Sequence, residues 1–134
     1  MPSYHEALLI HKVAMDVAVR VDAVVQRFAK GHKYTLGGRL RETTLDVVML
    51  VARCNRRAER VRQLPLLCDR IEEMKLMVNL GKEVKAFSSF KEFAEVMDQV
   101  VMLARQAEAW RRATVANANV GPEPGRPPSS SRES

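Results

Sequence analysis

Apolar residues recur at helical spacing through most of the chain. Between Leu36 and Arg62, Leu40, Val47, Val51, Cys54, Ala58 and Val61 follow one another at intervals of 7, 4, 3, 4 and 3. A helix turns once per 3.6 residues, so these positions share one stripe. The opposite stripe carries Arg39, Glu42, Asp46, Arg53, Arg56 and Arg60. The pattern predicts one long helix over Leu36–Arg62, with a core face on one side and a cluster of arginines on the last third of the other.

The segments on either side read the same way. Leu9, Val13, Val17, Val21, Val24 and Phe28 form a stripe that predicts a helix over Tyr4–Ala29. Valine lowers helix propensity slightly, but strict alternation is absent and the period favours a helix. Gly31 is placed to stop it, and the hydroxyl of Thr35 to cap the next helix. Gly37 and Gly38 in that first turn each cost about 1 kcal/mol relative to alanine, and close approach of another backbone is the simplest offset. Gln63-Leu64-Pro65 marks a break, because the residue before proline disfavours helix and proline suits a helix start. A third helix over Pro65–Leu80 carries Leu67, Ile71, Met74 and Val78, with Gly81 at its end.

Ser89-Phe90-Lys91-Glu92 has the spacing of a capping box and opens a fourth helix that runs to Arg112. Phe93, Met97, Val100, Ala104 and Ala107 make its stripe, and Val96, Leu103 and Trp110 widen it. Trp110 is read as core, and the width leaves apolar surface for another subunit. From Thr114 the periodicity stops. Residues 121–131 hold four prolines, two glycines and a serine run, too little apolar surface to offset ordering entropy. The fold class expected is all-α: an antiparallel up-down-up-down four-helix bundle over residues 1–113, with a disordered Pro/Ser/Gly-rich tail over 114–134.

Composition sharpens this picture in three ways. Hydrophobic residues make up 46% of the chain and aromatics only 5%, so the core is aliphatic and suited to helix packing. The net charge of +6 is concentrated, since residues 53–62 hold five arginines against one glutamate. Such a local excess points to a polyanion or to an acidic protein surface. Cys54 and Cys68 lack metal or redox spacing and read as reduced thiols, Cys54 buried on the apolar stripe. The first residues lack a basic n-region, and the longest purely apolar run, Val47–Ala52, is six residues. Neither a signal peptide nor a membrane span fits, and the location expected is cytoplasmic.

Catalytic and metal chemistry finds few candidates. A di-metal bundle needs Glu-x-x-His pairs, yet three residues after Glu6, Glu42, Glu72, Glu73 and Glu92 stand Leu9, Leu45, Lys75, Leu76 and Glu95. His5, His11 and His32 read as surface or cap residues. No histidine is spaced from a serine or cysteine as a general base, and no phosphate-binding glycine loop appears. The expectation is no enzyme, no cofactor and no metal. Arg53, Arg56, Arg57, Arg60 and Arg62 remain as candidate nucleic-acid-binding residues, because guanidinium groups keep their charge and grip phosphate in a bidentate fork. No aromatic interleaves them, so recognition would rest on backbone charge and shape.

Two stretches add a family resemblance. Phe28-Ala29-Lys30, followed by Tyr34-Thr35-Leu36-Gly37-Gly38-Arg39-Leu40-Arg41-Glu42-Thr43, resembles the signature of the small four-helix-bundle proteins that include the ribosomal-RNA intervening-sequence proteins. The basic end of the second helix, Ile71 to Leu80 and Trp110 narrow the resemblance to the accessory variability determinant branch of diversity-generating retroelements. The intervening-sequence branch carries Asn-Ile-Ala-Glu-Gly where this chain reads Leu50-Val51-Ala52-Arg53-Cys54. The resemblance covers about Val13 to Arg112. It implies a non-catalytic accessory protein that binds a reverse transcriptase and its template RNA in support of mutagenic cDNA synthesis. It also implies a homo-oligomer, a pentamer in the best described member. The alternative is an oligomeric structural or protein-interaction bundle with no nucleic-acid role.

Overall fold

The computed structural model describes residues 4–120, and their side chains over 7–117. Helices follow in the order α1 (Tyr4–Gln26), a single-turn α2 (Lys30–Lys33), α3 (Leu36–Cys54), α4 (Arg57–Glu83) and α5 (Phe90–Val120), with no strand among the described residues. Four are long. α1 packs on α3 and α5, and α4 packs on the same two, so the four enclose one core. No helix of the described residues is long and apolar enough to cross a membrane.

The core is aliphatic, as composition implies. Leu40, Leu64, Leu67, Ile71, Met74 and Leu103 are fully buried together with Val17, Val21, Val24, Val25, Val47 and Val51. Each such side chain contributes about 1.5–3 kcal/mol on burial. Among the described residues ring–ring packing is confined to one end, where Phe28 meets Phe87 edge-on at 4.9 Å between centroids and Phe87 meets Phe93 at 5.8 Å. Trp110 is 3% exposed and belongs to the core.

Several boundaries differ from the periodicity. The helix expected over Leu36–Arg62 is two helices that break at Asn55 and Arg56. Ala58 and Val61, assigned to its apolar stripe, are exposed, Val61 by 62%. Pro65 does not begin a helix but lies inside α4; it stands exposed, so the lost amide faces water and not the core. Gly81, expected as a stop, is buried in the last turn of α4. α1 ends at Gln26, where the amides of Arg27 and Phe28 bond to the carbonyls of Val24 and Val25 at 3.0 Å and tighten the last turn. Gly31 stands in α2.

On α1 the buried stripe is Ile10, Ala14, Val17, Val21 and Val24, and Leu9 is exposed. α5 continues to Val120, so residues 114–120, expected in the tail, are helical and Thr114 is buried. Its alanines favour helix there; residues 121–134 lie outside the described residues.

The caps are partly as read. Ser89 Oγ accepts the amide of Glu92 at 3.1 Å, but Glu92 does not close the box; it accepts from Ser88 Oγ at 2.6 Å and from Arg27 Nε at 2.6 Å. Thr35 stands at the N-cap of α3 without a capping bond, its hydroxyl donating instead to Gly31 O at 3.4 Å.

Between helices, Arg20 of α1 meets Glu95 of α5 at 3.0 Å, and Arg41 of α3 meets Asp22 of α1 at 3.2 Å. The Ala29 amide donates to the Ala86 carbonyl at 2.8 Å and ties two connections together.

The two adjacent glycines have different reasons. A Cβ on Gly37 would lie 2.7 Å from a Val25 methyl and 3.3 Å from the His32 carbonyl oxygen, whereas one on Gly38 would meet nothing within 4 Å. Close approach therefore accounts for Gly37 alone. Gly37→Ala is expected to destabilise by about 1–3 kcal/mol through overpacking, and Gly38→Ala to stabilise by about 0.5–1 kcal/mol through helix propensity. Urea unfolding monitored by circular dichroism checks both; equal effects would remove the distinction.

Candidate nucleic-acid interface

The break at Asn55–Arg56 places the basic cluster on a corner between helices. The amides of Asn55 and Arg56 bond back to Ala52 O at 3.2 Å and Arg53 O at 3.0 Å, and the Glu59 amide to Arg56 O at 3.0 Å. Arg53 lies in the last turn of α3, Arg56 at the N-cap of α4, and Arg57, Arg60 and Arg62 in its first two turns. They do not line a common face of one helix, because the chain turns between them.

The five arginines fall into two sets. Arg60 turns inward: Nε donates to Cys54 O at 2.8 Å and Nη2 to Asn55 O at 3.2 Å. These are carbonyls at a helix C-terminus that lack an intrahelical donor. Its guanidinium carbon also sits 5.3 Å from the Trp110 ring centroid. Arg62 pairs with Glu59 at 2.7 Å. Hydrogen bonds from Arg62 and then Gln63 hold the Glu59 carboxyl below its ordinary range.

Arg53, Arg56 and Arg57 are exposed and make no ion pair among the described residues. Arg53 suits the negative end of α3. Arg56 and Arg57 stand at the positive end of α4, where the helix dipole disfavours cations and no side chain caps the first amides. That end can therefore receive an anion from backbone N–H groups and guanidiniums together.

Trp110 joins this corner to the second half of α5. Arg111 is paired with Glu108 at 3.2 Å, while Arg112 is exposed and without an ion pair among the described residues. Sequence spacing did not bring Arg112 forward; only the contact between Arg60 and Trp110, fifty residues apart, places it at this end.

Both cysteines are free and buried. Burial pushes the Cys54 thiol up to about 11, with Arg60 opposing part of the rise. Burial and then the Glu108 charge push Cys68 up to about 12. His11 is half-buried and His32 lies in α2; the His5 side chain lies outside the described residues. No group of three or more His, Cys, Asp or Glu among the described residues could hold a metal ion. No family model matches the chain, and no curated protein or solved structure does.

Arg60→Ala is expected to lower stability by about 1–3 kcal/mol, because it leaves two carbonyls without a charged donor and uncovers the indole. Arg62→Ala, at an exposed pair, should change it by under about 0.5 kcal/mol. Comparable losses in a denaturant titration would contradict the division.

The thiols give a pH dependence. Below their unfolded value near 8.5 both states keep the proton and the thiols contribute fully. As pH rises toward 11 the unfolded chain releases protons that the fold retains, so stability falls. At pH 8 both thiols should resist a disulfide reagent until urea unfolds the chain; rapid labelling of native protein would contradict this.

Proposed function

We propose that this chain is a non-catalytic RNA-binding accessory protein whose phosphate contacts come from Arg53, Arg56 and Arg57 at the α3–α4 corner. The observation that carries this reading is the placement of Arg56 and Arg57. Both sit at an uncapped helix N-terminus that disfavours cations, and neither makes an ion pair among the described residues; Glu59 reaches Arg56 only as a longer-range charge. Guanidiniums held at an unfavourable end serve an incoming anion better than they serve the fold. Arg60 fixes the turn, and Arg62 is engaged with Glu59.

The family resemblance supplies the partners of this proposal: a reverse transcriptase and its template RNA, in the accessory variability determinant role. An up-down-up-down antiparallel bundle is part of the same reading. In its support, Arg20 and then Arg27 along α1 meet Glu95 and then Glu92 along α5. Self-association is proposed too, across a different face from the one the fourth-helix stripe suggests. Val96, Val100, Leu103, Ala107 and Trp110 are consumed by the chain's own core, while Leu8, Met15 and Val19 on α1 and Leu45 and Met49 on α3 stand exposed.

The test is a salt-series titration with a structured RNA. Each phosphate contact contributes a slope of about 0.7–0.9 in log K against log salt. The variant Arg53→Glu/Arg56→Glu/Arg57→Glu should flatten the slope by about 2–3 and abolish association at moderate salt, with helicity and subunit number unchanged. Unchanged binding removes the corner from the mechanism. Binding to an acidic protein but to no RNA selects the protein-interaction bundle.

A further inference from the structure

The opposite end of α4 carries a second group of cations, and there they stand beside aromatic rings. Arg57 and Lys82 are 25 residues apart on one helix, about 37 Å at 1.5 Å per residue. A groove of about 190 Å³ opens between the end of α4 and the start of α5, lined by Gly81, Lys82, Lys85, Phe87, Ser89, Phe90 and Phe93. Its charged lining side chains are both lysines.

Phe90 is 71% exposed, and its ring lies 5.4 Å from that of Phe93, tilted by 51°. The Lys82 ammonium sits 5.1 Å from the Phe93 centroid and 3.7 Å from Glu83. Lys85 makes no ion pair among the described residues. A second exposed ring, Tyr34, stands at this end with Lys33 at 5.7 Å; Leu36, two residues on, reaches toward Gly81.

Lys85 carries a second signal. The Ala86 amide bonds to Gly81 O at 2.8 Å and the Lys85 amide to Lys82 O at 3.1 Å, which is the Schellman arrangement at a helix end. Lys85 fills its left-handed position with φ 60, a place where glycine is the unstrained choice and other residues are penalised. The chain therefore keeps a lysine along the groove against its own backbone preference.

We propose that this groove binds one unstacked nucleotide of a single-stranded nucleic acid, its base against Phe90 and its phosphate between Lys82 and Lys85. The pairing of ring and ammonium selects this occupant. An acidic peptide would use the lysines but gives no role to a ring standing in water, whereas every base has a face that stacks on an aromatic side chain. The inference takes only its class of partner from the reading of the arginine corner, and uses none of those residues.

The probe is a fluorescein-labelled 12-mer of uridylate, with a 4-thiouridine version for photocrosslinking, on the full chain. Phe90→Ala should weaken 12-mer binding by about 5–100-fold and leave competition by inorganic polyphosphate unchanged. Because Phe90 is exposed, the variant keeps its fold. Lys85→Gly should weaken both ligands without lowering the melting temperature. The crosslink should map to residues 82–93.

No loss of 12-mer binding in Phe90→Ala overturns the stacking site. So does an oligoglutamate that displaces the 12-mer equally from both proteins. A crosslink confined to residues 53–62, with structured-RNA binding lost in the triple arginine variant, overturns the groove and leaves the corner standing. A crosslink at the groove with the triple variant unaffected does the reverse. Absence of 12-mer binding to the unaltered chain overturns the groove whatever structured RNA does.

Discussion

Arg60 holds the turn on which the arrangement of the molecule depends. Its donors reach the carbonyls of Cys54 and Asn55, and its guanidinium carbon lies over the Trp110 ring. A helix C-terminus needs donors for its last carbonyls, and here a side chain of the following helix supplies them. One contact thus joins α3, α4 and α5 at the point where the backbone changes direction. Alanine in its place would remove a cap, a ring contact and a helix–helix contact together.

The charges follow from that turn. Had one helix run through residues 36–62, its arginines would have sat near a C-terminus and eased the dipole. With the break at Asn55–Arg56, the same residues straddle an end that welcomes cations and an end that repels them. The acidic side chain in the first turn of α4, Glu59, is shared by Arg62 and Gln63. The exposed guanidiniums of Arg53, Arg56 and Arg57 are left facing water.

Period and composition were enough to read four long helices, an aliphatic core and the burial of Cys54 and Trp110. Those features depend on the repeat of apolar residues over many turns, and a long stripe averages out local exceptions. The α3–α4 break was not readable, because the contacts that accompany it join Arg60 to carbonyls five and six residues earlier and to a tryptophan fifty residues later. Proline pointed the wrong way: at Pro65 the lost amide faces solvent, so the helix passes through it. The phenylalanine groove was missed for a similar reason. Lys82, Lys85 and Phe90 belong to different elements, and the left-handed backbone at Lys85 has no composition signal where glycine would ordinarily announce it.

The hydrogen bond from the Ala29 amide to the Ala86 carbonyl has a kinetic reading of its own. It bridges the link leaving α1 and the link entering α5, each outside a regular helical ladder. Neither helix can shear along its axis without breaking it. Exchange of the Ala29 amide with solvent deuterium therefore follows the separation of those two links, so one backbone proton acts as a gauge of how often the bundle opens at that end.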